Sequence, residues 1–181
     1  MATESKPIEL GTSCPDFKLP ATDGKSYALD DFKAARLLLV GFTCNHCPYV
    51  QAYESRLIEL ATAFKSKSVE FICINANDDV AYPDDSFEKM KERAHSQKFN
   101  FHYLRDDSQV TAKAFNAECT PEFYLYDEAR KLRYHGRIDD NQKEPAAVKH
   151  RYLKEAIESL LAGKNPPIAQ TSAIGCSIKW K

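Results

Sequence analysis

The pattern of apolar and polar positions predicts a hairpin and a buried strand at the start of the chain. Residues 17–19 and 26–28 flank the turn dipeptide Asp23-Gly24, which is typical of an antiparallel hairpin. Residues 36–42 (RLLLVGF) are almost continuously apolar and have the length of a strand. Such a run predicts a central strand that is covered on both of its faces.

A helix and a second apolar strand are predicted next. After Pro48, apolar side chains recur at helical spacing, at Val50, Tyr53, Leu57, Leu60, Ala61 and Phe64. Residues 69–74 (VEFICI) then form a second strand-length apolar run. Strand, helix and strand in this order predict a βαβ unit, in which the two strands run parallel.

The rest of the chain predicts further helices and a second hairpin. Asp85 followed by Glu88 has the spacing of a capping box, so a helix is predicted to begin there. The other predicted elements are a strand at 101–104, a short helix capped by Ser108, hairpin strands at 122–126 and 131–135, and a helix over 148–161 that Gly163 ends. Together they predict an α/β fold with a mixed sheet and helices on both faces.

No linker or repeat divides the chain. We therefore expect one domain over residues 1–163, with an N-terminal hairpin at about residues 15–30. Residues 164–181 show no clear period and are expected to form a tail docked on that domain.

The segment Cys44-Asn45-His46-Cys47 joins the predicted central strand to the predicted helix. A helix N-terminus offers unpaired N–H groups and a partial positive charge, which stabilise a thiolate. The thiolate is the nucleophile of thiol-disulfide exchange. We predict that Cys44, nearer the strand end, is the exposed attacking thiol and that Cys47 is the resolving thiol.

His46 lies between the two cysteines, and its imidazole is predicted to lower the pKa of Cys44 further. Two other interpretations of the pair stay open. A zinc site needs four ligands, and no second CxxC or HxxxH is present to supply them, although Cys119, Cys176 or a histidine could do so through tertiary contact. The two cysteines could also be inert residues of the core.

Composition and charge argue against nucleic-acid binding, secretion and a membrane-spanning segment. The chain has 181 residues, 43% of them hydrophobic, and a formal net charge of −1, so a packed core is expected and nucleic-acid binding is not. Residues 1–10 lack the apolar segment of a secretory signal, and the apolar run over 37–42 is too short to span a membrane. With six cysteines and no export signal, reduced thiols in the cytoplasm are expected.

Four motifs stand out along the chain: an entry hairpin (CPDFKLP, then DGK, then LDDF), the redox segment FTCNHCPYV, CTP at 119–121, and the C-terminal GCSIKWK. In these motifs the chain resembles redoxins of the alkyl hydroperoxide reductase / thiol-specific antioxidant superfamily. The last three also resemble an uncharacterised group of thioredoxin-like proteins. The resemblance implies a thioredoxin fold with an N-terminal hairpin extension, and a redox-active Cys44–Cys47 disulfide with no further cofactor and no metal.

The resemblance also assigns a role to Thr120-Pro121. In thioredoxin folds a cis-proline faces the CxxC, and Pro121 stands where the family has it, before the predicted strand at 122–126. We predict a cis bond, with Thr120 and Pro121 binding an extended substrate chain. Many thioredoxins also carry a buried acid in the central strand, which residues 36–42 lack, so proton transfer would need water, His46 or another group.

The remaining cysteines fall into two groups. Cys119 precedes Thr120-Pro121 and Cys176 lies in the tail, so both are possible auxiliary redox thiols, or else a buried small residue and a tail anchor. Cys14 and Cys73 are predicted to be structural.

The predicted function is exchange of the CxxC dithiol with disulfide-bearing protein substrates or small-thiol disulfides. A thiol electron donor such as a thioredoxin-type reductase or glutathione is expected, with no membrane partner. The main alternative is a peroxiredoxin-like peroxidase. Peroxiredoxin sites resemble a pattern with a threonine three residues before the reactive cysteine and an arginine that stabilises the thiolate. The threonine is absent here, and the simplest interpretation of Arg137 is a surface ion pair. A non-enzymatic metal-binding or regulatory module is the second alternative.

Overall fold

The computed structural model describes residues 2–181, so Met1 lies outside the described part. The strands are β1 Ala2–Glu4, β2 Lys18–Pro20, β3 Ser26–Ala28, β4 Leu37–Phe42, β5 Val69–Asn75, β6 His102–Arg105, β7 Cys119–Thr120, β8 Glu122–Tyr126, β9 Leu132–Gly136 and β10 Ile174–Ser177. The helices are α1 Pro48–Phe64, α2 Phe87–Ser96, α3 Val110–Ala114 and α4 Tyr152–Leu161. No helix within residues 2–181 has the length and apolar character needed to cross a bilayer.

The central sheet has the strand order β6-β5-β4-β8-β9. Strands β4, β5 and β6 are parallel, which confirms the predicted βαβ unit. Strand β8 pairs antiparallel with β4, and β9 pairs antiparallel with β8, so the sheet is mixed. The predicted hairpins are confirmed as the β2–β3 and β8–β9 pairs. This is a thioredoxin-like fold, as the resemblance implied.

Strand β4 is covered on both faces, and its side chains alternate between two cores. Leu38, Val40 and Phe42 face the side that carries the β2–β3 hairpin and α3. Leu37 and Leu39 face the side where α1, α2 and α4 pack. Both faces bury apolar area, which explains the continuous apolar run. The C-terminal end of this buried strand leads directly into the redox segment.

Three helix starts differ from the prediction. Helix α2 is capped by Ser86, whose Oγ accepts from the Lys89 N–H at 3.5 Å, rather than by Asp85. At α3 the N-cap position is Gln109 rather than Ser108. The Ser108 Oγ accepts from the Val110 N–H at 3.3 Å, and the Asp106 carboxylate accepts from the Ala112 N–H at 2.9 Å. Helix α4 begins at residue 152 instead of 148, because residues 145–147 form a separate 3-10 turn.

The chain termini form a second small sheet. Strand β10 lies between β1 and β7, and both pairs are antiparallel. Cys176 and Ser177 of the tail therefore pair with the strand that ends at Thr120, next to the redox segment.

Candidate functional site

The two cysteines of the CxxC lie between the end of β4 and the start of α1. Cys47 is the N-cap residue of α1, and Pro48 occupies the first helical position. The predicted exposure of Cys44 is wrong: Cys44 is 1% exposed and Cys47 is 0% exposed. Both sulfurs are covered by the protein itself, with Val50, Tyr49 and Cys176 packed around them.

The environment favours a thiolate on Cys47 rather than on Cys44. Hydrogen bonding from the Cys44 thiol lowers the pKa of Cys47 to about 5, against the effect of burial, and the Cys176 thiol and the N–H groups of Val50 and Cys176 add to the lowering. The side chain of Cys47 makes no regular capping hydrogen bond, so these N–H groups act from the first helical turn and from β10.

Cys44 has the opposite surroundings. Its interaction with Cys47, then its burial, and then the negative charge of Asp85 all raise its pKa well above the ordinary value, although the hydroxyl of Thr120 lowers it. In this conformation the surroundings therefore favour Cys47 as the more acidic thiol, whereas the chain order predicts Cys44. The interaction between the two thiols contributes most to this difference, followed by the burial of Cys44 and then by the negative charge of Asp85.

The carboxylate of Asp85 is fully buried and hydrogen-bonds to the redox segment. It accepts from the Asn45 N–H at 2.6 Å and contacts His46 Nδ1 at 2.5 Å. It also accepts from the side-chain amides of Asn75 at 3.2 Å and Asn77 at 2.8 Å. Asp85 therefore fixes the backbone and the imidazole of the two residues between the cysteines.

His46 is held in place by this contact and by Tyr82. Its ring stacks on Tyr82, with centroids 5.4 Å apart and planes 7° apart, and its side chain is 25% exposed. Asn45 is held in turn by Tyr103, whose hydroxyl donates to Asn45 Oδ1 at 2.9 Å. The sequence alone did not reveal this polar cluster, because its members come from separate segments and the spacing around Asp85 favours a capping role.

Cys44, His46 and Asp85 are also the one group of three candidate metal-ligand atoms found among residues 2–181, all within 4.8 Å of one another. The contact between His46 Nδ1 and Asp85 Oδ2 has the length of a hydrogen bond, and Asp85 already receives three other donors. A cation would have to separate this pair, so the geometry favours a hydrogen-bonded network over an ion site.

Thr120-Pro121 faces the cysteines, and its peptide bond is cis, as predicted. The Thr120 hydroxyl lies 3.3 Å from the Cys44 sulfur. The Thr120 carbonyl oxygen lies 3.3 Å from the Cys47 sulfur and accepts a hydrogen bond from it only when Cys47 is protonated. Pro121 lines a small apolar cavity with Cys44. The two sulfurs, the threonine and the proline are thus in one contact group.

The strand edge at Thr120, predicted to bind substrate, is occupied by the chain's own tail. Cys176 of β10 is the register partner of Thr120. A Cβ placed on Gly175 would lie only 1.9 Å from the Thr120 carbonyl oxygen, so no other residue fits there without displacing the strand. Cys176 is half-buried, and is therefore the most exposed of the three thiols at the site.

The other cysteines lie in environments that keep them protonated. Burial raises the pKa of Cys14, Cys73 and Cys119. Cys119 directs its thiol to the Ala173 carbonyl oxygen and to the Glu122 carboxylate, at 3.7 and 3.9 Å. This arrangement favours the interpretation of Cys119 as a buried small residue over the auxiliary redox role.

Among residues 2–181 no acidic side chain pairs with Arg137, so the predicted surface ion pair is not formed there. Its guanidinium lies over the ring of Tyr152, 5.7 Å from the centroid, and its Nε is buried without a partner in the described residues. The arginine considered for peroxide chemistry is therefore engaged by the first residue of α4.

Comparisons with known proteins agree with this fold. Residues 10–135 match the profile of the AhpC/TSA family. The crystal structure of an uncharacterized conserved protein from Geobacillus kaustophilus is 40% identical, with a TM-score of 0.95, and the match covers 100% of this chain and 97% of that one. A hypothetical protein from Sinorhizobium meliloti 1021 is 38% identical, with a TM-score of 0.94 and coverage of 99% and 98%.

A curated relative carries an activity in its name. The thiol-disulfide oxidoreductase ResA of Geobacillus kaustophilus (strain HTA426) is 27% identical over 133 residues, which are 72% of this chain and 71% of the relative. The family match includes the CxxC and the cis-proline segment and spans more than half of the chain. The chain therefore belongs to the AhpC/TSA family and is a thioredoxin-like redoxin.

Proposed function

We propose that this protein is a thiol-disulfide oxidoreductase that exchanges its Cys44–Cys47 dithiol and disulfide with protein or small-thiol disulfides. The observation that carries the proposal is the pairing of an acidic thiol, Cys47, with a second thiol at the start of α1, opposite cis-Pro121. A thiolate beside a second thiol is the arrangement that disulfide exchange requires.

A substrate disulfide can reach the two buried cysteines only when the tail that packs on them moves aside. We assign the first attack to Cys47, whose pKa is the lower of the two. Its thiolate attacks a substrate disulfide, one substrate sulfur leaves as a thiol, and a mixed disulfide forms on Cys47. Cys44 then attacks the Cys47 sulfur, releases the second substrate thiol, and closes the Cys44–Cys47 disulfide. The substrate gains two electrons from the protein, and its two sulfurs take up one proton from Cys44 and one from solvent.

Cys44 must lose its proton during this second step. The neighbours suited to help are the Thr120 hydroxyl, which can donate to the Cys44 sulfur, and the His46–Asp85 pair, which lies within 4.8 Å of it. In this proposal the pair takes the proton-transfer role that a buried acid in the central strand has in many thioredoxins. His46 and Asp85 therefore position the redox segment and transfer protons. The Thr120 hydroxyl stabilises negative charge on the Cys44 sulfur.

The name of the ResA relative supports the same chemistry, and the engagement of Arg137 by Tyr152 speaks against peroxide reduction. Insulin reduction and peroxide consumption, measured on one preparation with a common dithiol donor, test the proposal. We expect insulin reduction to dominate and to be lost in both Cys44→Ser and Cys47→Ser. Fast peroxide turnover that needs only one of the two cysteines would overturn it.

A further inference from the structure

The tail contributes a third thiol to the site. Cys176 packs on the cluster of Cys44, Cys47 and Val50, and its thiol and N–H both act on the Cys47 sulfur. It lies on β10, outside the residues that match the family profile. Neither the family match nor the exchange steps above therefore assign it a role.

Burial separates the three thiols into an inner pair and an outer one. Cys44 and Cys47 are 1% and 0% exposed, so an external protein disulfide or dithiol cannot reach either sulfur in this conformation. Cys176 is in contact with Cys47 and also reaches solvent. It is the group through which exchange with the exterior can occur while the tail stays docked.

Building on the proposed function, we propose that Cys176 is a catalytic exchange thiol that passes the disulfide between the buried Cys44–Cys47 pair and external thiols. In the first step the Cys176 thiolate, having lost its proton to water, attacks the Cys47 sulfur of the Cys44–Cys47 disulfide. The Cys44–Cys47 bond breaks, a Cys47–Cys176 bond forms, and Cys44 leaves as a thiolate that is then protonated. No electrons are gained or lost overall.

In the second step an external dithiol attacks the sulfur of the half-buried Cys176. The Cys47 thiolate leaves, and it is a good leaving group because its pKa is low. The second sulfur of the dithiol then closes its own disulfide and releases Cys176. The dithiol is oxidised by two electrons, and Cys44, Cys47 and Cys176 end as the reduced site. The reverse sequence oxidises the pair.

The state of Cys47 favours this order. In the reduced site, burial and then the interaction with Cys47 raise the pKa of Cys176 to about 11, while Lys179 lowers it. When Cys47 is part of a disulfide it carries no charge, and its contribution to that rise disappears. Cys176 is therefore more readily ionised when there is a disulfide for it to attack. The Thr120 hydroxyl, 3.3 Å from the Cys44 sulfur, can stabilise the leaving thiolate.

Two measurements test this role. In Cys44→Ala, mild oxidation followed by peptide mapping should yield a Cys47–Cys176 disulfide as the main intramolecular product. In Cys176→Ser, the rate at which dithiothreitol reduces the oxidised pair should fall at least about tenfold, which corresponds to about 1.4 kcal/mol in the barrier. Ser177→Ala in the same strand and Cys14→Ser elsewhere are the matched controls and should keep the wild-type rate.

The proposal is overturned if Cys44→Ala gives no Cys47–Cys176 bond, or if Cys176→Ser is reduced at the wild-type rate. Either result leaves the proposed function intact, provided that the Cys44–Cys47 disulfide still forms and exchanges in Cys176→Ser. A wild-type protein whose Cys44–Cys47 pair fails to exchange with any external thiol would instead defeat the proposed function.

Discussion

Replacing Cys44 by alanine should move the pKa of Cys47 upward. The Cys44 thiol is the largest of the interactions that lower this pKa to about 5, and alanine removes its hydrogen-bond donor. A hydrogen bond to a charged group contributes about 1.5–3 kcal/mol, and one pKa unit corresponds to about 1.4 kcal/mol. The expected rise is therefore about 1–2 units. The Cys176 thiol and the two N–H groups remain, so the pKa should stay below that of an ordinary cysteine.

The ultraviolet absorbance of the thiolate, followed as a function of pH in the reduced protein, measures this shift. At pH 7 a thiol with a pKa of about 5 is about 99% ionised, whereas one at about 8.5 is about 3% ionised, so the signal is large. Cys47→Ala should abolish the acidic transition. Cys14→Ser should leave it unchanged and controls for the loss of any one buried thiol.

An acidic transition that Cys47→Ala keeps and Cys44→Ala loses would refute this assignment. The thiolate would then lie on Cys44, as the chain order predicts, and a stronger stabilising interaction would have to outweigh the negative charge of Asp85.

The same contacts lead to three more measurable outcomes. Asp85→Asn should lower the pKa of Cys44, measured by thiolate titration, because it removes a charge that raises this pKa. It should also reduce the free energy of unfolding by about 3 kcal/mol, since a buried acceptor of several donors is lost, and an unchanged midpoint of denaturant unfolding contradicts this. Gly175→Val should displace β10, because its side chain would collide with the Thr120 carbonyl oxygen, and should speed alkylation of Cys47 under limiting reagent; equal rates contradict the covering role of the tail. The reduced protein should lose stability as pH falls from about 8.5 toward 5, by at most about 1.4 kcal/mol per pH unit, because the unfolded state, in which Cys47 is less acidic, binds more protons in this window. Cys47→Ser should flatten this dependence of the unfolding free energy on pH, and an identical slope in that variant contradicts the assignment.

Local patterns are sufficient to predict the central sheet. The run over 36–42 is buried on both faces because it contributes to two cores, and a strand-length apolar run without alternation is typical of such a strand. The position of the CxxC between this strand and α1, and the cis bond at Thr120-Pro121, are also confirmed predictions. These features depend on residues that are neighbours in sequence, or on a short motif that contains them.

The charges at the site could not be predicted, because they depend on long-range contacts. Asp85 is separated from His46 and Asn45 by 39 and 40 positions along the chain, and the fold brings its carboxylate into contact with both. Its spacing to Glu88 has the form of a capping box, whereas Ser86 is the cap of α2. The burial of Cys44 also depends on a long-range contact, because the tail strand β10 comes from the far end of the chain. This strand has only four residues, too few for a periodic pattern that would predict its pairing with β7.

The assignment of the redox centre is tested most directly by a redox titration of the protein in glutathione buffers, with the disulfides mapped at each ratio. We expect one reversible two-electron transition that joins Cys44 to Cys47 and is absent from Cys44→Ser and Cys47→Ser. If Cys44 and Cys47 remain free thiols up to the most oxidising ratio, or if the same transition persists in either variant, the assignment is contradicted.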